Sequence, residues 1–191
     1  KIAYRPHAKA HKSPEIAKIQ LNAGACGVCC AKLGEAEVMA ANGIKDILIT
    51  TPVIGISKLS RMMQVANQAK VSVVVDNKEN VVEMDKVAKT FGVRPDVVIE
   101  VDVGQGRCGV SPGKQALILA KDIMSADWLN FKGLQGYQGN IQLTKSFSDR
   151  ETAARHATNL LKDTAKLIWE GGIPFNYLTG GGSGTSVIDA K

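Results

Sequence analysis

Short apolar runs rich in valine, isoleucine and leucine alternate along the chain with longer stretches in which apolar residues recur every three or four positions. The first kind reads as buried strand and the second as amphipathic helix. A β-prone segment, Ile2-Ala3-Tyr4, opens a strand that ends at Lys9, and Ser13-Pro14-Glu15 starts a helix over 14–22. Strands over 27–31, 46–50, 71–75 and 96–103 follow, separated by helices over 34–41, 57–69 and 78–91. Ser111-Pro112 repeats the helix start and leads to residue 125, and a strand over 131–135 comes next. Ser148-Asp149-Arg150-Glu151 reads as the capping box of the longest helix, which runs to Glu170 and stops at Gly171-Gly172. A last strand over 175–179 runs into Gly180-Gly181-Gly182-Ser183-Gly184-Thr185. Seven strands alternating with six long helices predict an α/β fold, a (β/α)8 TIM barrel with about seven strands present and its last unit missing, in preference to an open doubly wound sheet. Residues 1–191 form one domain in this reading. The strand edges left bare by a missing unit predict a piece of a longer polypeptide.

Composition supports this picture and narrows it. Hydrophobic residues make up 45% of the chain but aromatics only 5%, so the core must be built from Val, Ile, Leu and Ala, as in parallel sheets covered by helices. The net charge of +6 comes from lysines scattered over helices (Lys18, Lys86, Lys89, Lys121, Lys162, Lys166) and not gathered with aromatics, so no nucleic-acid partner is expected. No apolar run reaches the roughly 18 residues of a membrane span, and no signal peptide is visible; a cytoplasmic protein without a membrane partner is expected. Of the four cysteines, Cys26, Cys29 and Cys30 lie in a segment that reads as buried strand, and Cys108 stands apart. Cys26-x-x-Cys29 lacks a second ligand pair, so these residues are expected to pack as small apolar side chains without a metal.

The candidate chemistry gathers at three exits from predicted strands. Arg5-Pro6-His7-Ala8-Lys9-Ala10-His11-Lys12 follows the first strand, and period-two alternation places Arg5, His7, Lys9 and His11 on one face. Crowded cations and partial desolvation favour the neutral amine that a Schiff-base lysine requires, although such a cluster also serves as a solvated basic turn. Four glycines with Ser183 and Thr185 after the last strand offer free backbone N–H groups and hydroxyls, a phosphate cradle or a plain linker. A lysine aldimine together with a phosphate grip is what pyridoxal phosphate requires. Glu100 and Asp102 share a face of the 96–103 strand, which exits into Gly104-Gln105-Gly106-Arg107-Cys108-Gly109. Two inward carboxylates need cationic partners, for which Arg5 and His7 are the candidates. Arg107, flanked by glycines, is placed to meet an anionic group. Tyr137, between Gly136 and Gly139, either packs as core or presents its hydroxyl to a ring or substrate.

Four motifs in this order, Arg5 to Lys12, Glu100 to Gly109, Gly133-Leu134-Gln135-Gly136-Tyr137 and Thr179 to Gly184, resemble the D-threonine aldolase and D-serine dehydratase family of fold-type III pyridoxal phosphate enzymes, related to the alanine racemase barrel. The resemblance implies that Lys9 holds pyridoxal phosphate covalently and that Arg107 contacts its phenolic oxygen. It also implies Tyr137 beside the pyridine ring, and Thr179, Gly181, Gly182, Ser183 and Gly184 at the phosphate. It implies a lyase acting on a small β-hydroxy-D-amino acid, with retro-aldol cleavage to glycine and an aldehyde favoured over dehydration of D-serine or 3-hydroxy-D-aspartate. A non-catalytic pyridoxal phosphate carrier is the alternative of another class.

Members of the family carry a further β-rich domain that supplies a divalent metal, and homodimers of the full-length form are possible; no metal ligand is expected within these residues. Gln138 stands where histidine is expected in close relatives, and Thr144 where an aromatic hydroxyl is common. The 191 residues alone are therefore expected to bind the cofactor weakly at best and to turn over no substrate.

Overall fold

The computed structural model describes residues 2–190. It contains α1 (Pro14–Asn22), β1 (Val28–Cys30), α2 (Leu33–Ala41), β2 (Asp46–Ile49), α3 (Ile56–Ala66), β3 (Lys70–Val75) and α4 (Lys78–Phe91). These are followed by β4 (Asp96–Glu100), α5 (Lys114–Met124), β5 (Asn130–Gly136), α6 (Phe147–Glu170), β6 (Tyr177–Gly180) and α7 (Ser186–Asp189). In the sheet the strands follow chain order, β1-β2-β3-β4-β5-β6. The chain divides into two compact units, one of Lys1–Val75, Glu79–Val97 and Ala126–Asn130, the other of Asp76–Lys78, Val98–Ser125 and Phe131–Lys191.

In the first unit β1, β2 and β3 pair in parallel, with Val28 opposite Ile47 and Ile47 opposite Val71. Their residues are buried throughout apart from Asp46 and Lys70 at the entry ends. Strands apolar on both faces are what a sheet covered on both sides demands. Helix α1 forms as the sequence predicts: the Ser13 hydroxyl accepts the Ile16 N–H, Pro14 fills the first turn, and Ala17 is buried. Helix α3 has Gly55 at its N-terminal cap and begins one residue before the expected start at 57. There the Glu83 carboxylate accepts the Gly55 N–H at 3.1 Å and does the capping from α4.

The expected first strand is the main departure among the described residues. Tyr4 and Pro6 carbonyls accept N–H groups of Cys26 and Cys29, but only His7 forms a β-bridge, to Cys29, and Ala8–Ala10 is a 3-10 turn. Pro6 has no N–H to donate, and the His7 ring takes the Lys9 N–H, so the backbone curls where alternation would have continued it. Among the described residues six regular strands, with the His7–Cys29 bridge where the first strand was expected, stand in place of the seven expected strands.

In the second unit β5 and β6 pair in parallel, Gly133 opposite Tyr177 and Gln135 opposite Thr179. A Cβ on Gly133 would lie 1.8 Å from the Tyr177 carbonyl oxygen, so this pairing needs glycine. Helix α6 is capped by Ser146, whose hydroxyl accepts the Asp149 N–H, and not by Ser148. It buries Ala154, Ala157, Leu161, Thr164 and Ile168, spaced three and four residues apart. Thr164 ties it to α5 by accepting the Gly113 N–H at 2.9 Å. The short α7, absent from the sequence reading, is held by Ile188 packing on Ile141 and Ala154.

Candidate functional site

In the first unit the turn bearing Lys9 is fixed by a run of hydrogen bonds. The Lys9 N–H donates to His7 Nδ1 at 3.2 Å, and His7 Nε2 lies 3.1 Å from the Thr50 hydroxyl. The Thr50 hydroxyl donates to the Cys30 carbonyl at 3.2 Å. With Nδ1 accepting, the ring is neutral with its proton on Nε2. Burial, and next the Lys9 charge, lower the His7 pKa to about 4, consistent with that state. Lys9 itself is exposed. Lys12 pairs with Glu35, whose other oxygen accepts the Ala31 N–H at 2.7 Å. Burial would raise the Glu35 pKa, but Lys12 and the backbone N–H groups of Ala31 and Lys32 hold it below the ordinary range.

Arg5 takes Asp46 as its carboxylate, at 2.8 Å. Cys29 and Cys30 are buried, and desolvation pushes both thiols up to about 12, as inert core residues; Cys26 is exposed. Among the described residues no three His, Cys, Asp or Glu side chains gather where they could hold a metal ion.

In the second unit the loop after β4 closes on itself. Val101 bridges Val110, and Asp102 Oδ1 accepts the N–H groups of Gly104, Gln105 and Gly106 at 2.9–3.0 Å. The Gly106 N–H, then the burial that opposes it, and then the other two N–H groups set the Asp102 pKa, which lies below the usual carboxylate range. Asp102 is thus an internal loop cap, and Glu100 accepts from Gln135 Nε2 at 2.5 Å. The carboxylates expected to meet Arg5 or His7 have these partners instead. Asp102 turns toward its own loop because three successive N–H groups there need an acceptor. Arg107 is exposed and sits over the Tyr137 ring, 5.8 Å from its centroid. Gln105 accepts the Gly139 N–H at 2.6 Å, tying this loop to the segment after β5.

The glycine-rich segment after β6 is a folded loop. The Gly182 N–H lies 3.2 Å from the Thr185 hydroxyl and 3.3 Å from Asp189 Oδ2, to which the Thr185 hydroxyl donates at 2.5 Å. The Gly184 N–H donates to Gln142 Oε1 at 2.9 Å. Gly181 has φ +76°, and a Cβ there would strike Asp189; a Cβ on Gly184 would lie 2.1 Å from the Gln142 carbonyl oxygen. Thr179 is half-buried in β6 and Ser183 is exposed.

The loop therefore already holds a carboxylate oxygen on a backbone donor and a buried hydroxyl, which fits the phosphate of pyridoxal phosphate. In the first unit the exposed Lys9 carries a primary amine, the group that condenses with an aldehyde. Within the second unit the structure brings Arg107 to Tyr137. It also adds Gln135, Gln142 and Asp189, which sequence reasoning did not single out. Of these only Gln135 carried a signal, lying in the Gly133–Tyr137 motif two residues before Tyr137.

Parallel strands in chain order alternating with helices define an α/β domain whose chemistry-bearing residues lie at strand exits. Residues 3–190 match the family described as alanine racemase, N-terminal domain, and the chain belongs to that family. It is 44% identical over 189 residues to a D-threonine aldolase of Arthrobacter sp., covering 99% of this chain and 50% of that protein. It is 36% identical to a 3-hydroxy-D-aspartate aldolase of Paracoccus denitrificans (strain Pd 1222), covering 100% of this chain and 50% of the relative. The crystal structure of D-threonine aldolase from Filomicrobium marinum superimposes with a TM-score of 0.96 at 37% identity, covering 98% of this chain and 51% of that one. The chain thus spans about half the length of these relatives, and its fold is the parallel α/β fold of the alanine racemase N-terminal type.

Proposed function

We propose that residues 1–191 are the pyridoxal phosphate-binding barrel domain of a lyase that cleaves β-hydroxy-D-amino acids, D-threonine in the first instance, to glycine and an aldehyde. The observation that carries this reading is 44% identity to a D-threonine aldolase along 99% of the chain. Pyridoxal phosphate supplies an electron sink for the bond broken at Cα. In this reading Lys9 is the residue that holds it covalently, on a turn fixed by the neutral His7 ring and Thr50. Arg107, backed by the Tyr137 ring, offers its guanidinium to the phenolic oxygen. Thr179, Gly181, Gly182, Ser183 and Gly184 receive the phosphate, which takes the place of the Asp189 carboxylate on the Gly182 N–H and the Thr185 hydroxyl. A divalent metal gripping the β-hydroxyl belongs to a part of the polypeptide outside these residues, and a homodimer of the full-length form goes with this reading. Incubation of the whole polypeptide with D-threonine, pyridoxal phosphate and a divalent metal tests the reading: glycine and acetaldehyde are expected in equal amounts. A keto acid and ammonia in their place would assign a dehydratase, and no turnover of any β-hydroxy-D-amino acid would leave a carrier.

A further inference from the structure

Glu100 is a carboxyl buried at a junction. It is 2% exposed at the end of β4, between Ile99 and Val101, which are fully buried. Gln135, 5% exposed on β5, donates to it at 2.5 Å and lies two residues before Tyr137. On its other side the exit loop folds back, so that the Val110 N–H reaches the Glu100 carbonyl at 2.9 Å. A Cβ on Gly109 would lie 3.1 Å from Glu100 Cγ, close enough that the loop rests on this side chain. The same loop carries Arg107, so this one residue touches both the strand leading to Tyr137, through its carboxyl, and the loop presenting Arg107, through its backbone carbonyl and Cγ.

We propose that Glu100 is a positioning residue: as a neutral acid it supports Gln135 and leaves the Arg107 guanidinium for an anionic ligand, and as a carboxylate it competes with that ligand for the guanidinium's charge. A charged carboxylate in apolar surroundings with one amide donor is strongly disfavoured, so the neutral form survives to unusually high pH. Burial raises its pKa to about 7; the Gln135 hydrogen bond and Arg107 lower it, and Asp76 and Asp102 raise it. Arg107, Asp76 and Asp102 are the charged residues that act on it. Both forms are therefore populated near neutrality. Reciprocity then requires that anion binding at Arg107 weaken as the pH rises through that range, since the ligand and the Glu100 charge oppose each other.

The anionic ligand here rests on the cofactor reading above, and two measurements on wild type and Glu100→Gln keep the two apart. The first is the side-chain amide resonance of Gln135 without cofactor, followed against pH. It is expected to titrate with a midpoint near 7 in wild type and to stay flat in Glu100→Gln. A flat wild-type curve, or an unchanged curve in the variant, overturns the proposal whether or not cofactor binds. The second is the affinity for pyridoxal phosphate, read from the visible absorption of the bound form. Wild-type affinity should fall relative to the variant by about 3- to 10-fold between about pH 6 and about pH 8. A pH-independent ratio overturns the proposal while leaving the cofactor reading intact. Absence of binding in both proteins overturns the cofactor reading, and with it the anion half of this proposal. A purely structural role for Glu100 would lower the melting temperature without producing either pH dependence.

Discussion

Acid pulls the stability of this chain in two directions, and a single substitution separates them. His7 is neutral in the folded chain, with a pKa lowered from 6.5 to about 4, so between those values the unfolded chain binds more protons. Its contribution is present above pH 6.5 and is lost as the pH falls toward 4. Glu100 behaves oppositely: its pKa rises from 4.5 to about 7, so the folded chain holds the extra proton. That contribution is present below 4.5 and is lost as the pH rises through about 7. Each interval is about 2.5 pH units, at about 1.4 kcal/mol per unit an upper bound of about 3 kcal/mol. The His7 ring is partly in solvent, so roughly half of its bound is realistic, about 1.5 kcal/mol. From about pH 7 to about pH 5 the Glu100 gain of about 2 kcal/mol exceeds the His7 loss of about 1 kcal/mol, so wild type should gain about 1 kcal/mol of stability. Glu100→Gln keeps the shape and the acceptor but removes the titration, and should lose about 1 kcal/mol over the same interval. Urea melts followed by circular dichroism at constant ionic strength measure both slopes. Parallel slopes for the two proteins would refute the assignment of the opposing charges.

Three further outcomes follow from named contacts. Gly133→Ala should cost at least about 3 kcal/mol or prevent folding, because its Cβ would meet the Tyr177 carbonyl at 1.8 Å; thermal melts check this. Asp46→Ala should destabilise by about 1–3 kcal/mol, between the values for exposed and buried pairs, since the Arg5 side chain is 9% and Asp46 31% exposed. A double-mutant cycle with Arg5→Met should return most of that cost as coupling. Asp189→Asn should tighten inorganic phosphate and pyridoxal phosphate about 3-fold or more in equilibrium dialysis, since it removes the resident carboxylate from the Gly182 N–H and the Thr185 hydroxyl.

Most helices and the later strands were legible because burial imposes a period on the sequence, as in the all-buried Val71–Val75 run and the stripe of α6. The first strand was not, because period-two reasoning does not register that Pro6 lacks a donor or that a histidine ring can capture an N–H two residues on. Alternation also misjudged Asp102: its carboxylate answers to the three N–H groups of its own loop, a local contest that strand periodicity ignores. At the glycine loop the sequence carried the donors but not what sits against them. Gln142 and Asp189 reach Gly184 and Gly182 through the fold, from 42 and 7 positions away.

In the proposed function Lys9 is the residue that takes pyridoxal phosphate covalently. Incubation with the cofactor, reduction with borohydride and peptide mapping by mass spectrometry test it directly. A pyridoxyl group is expected on Lys9, in the peptide between Arg5 and Lys12, and its loss in Lys9→Ala. A pyridoxyl group on Lys12, whose ammonium is paired with Glu35, or labelling spread over surface lysines without preference for Lys9, would contradict it.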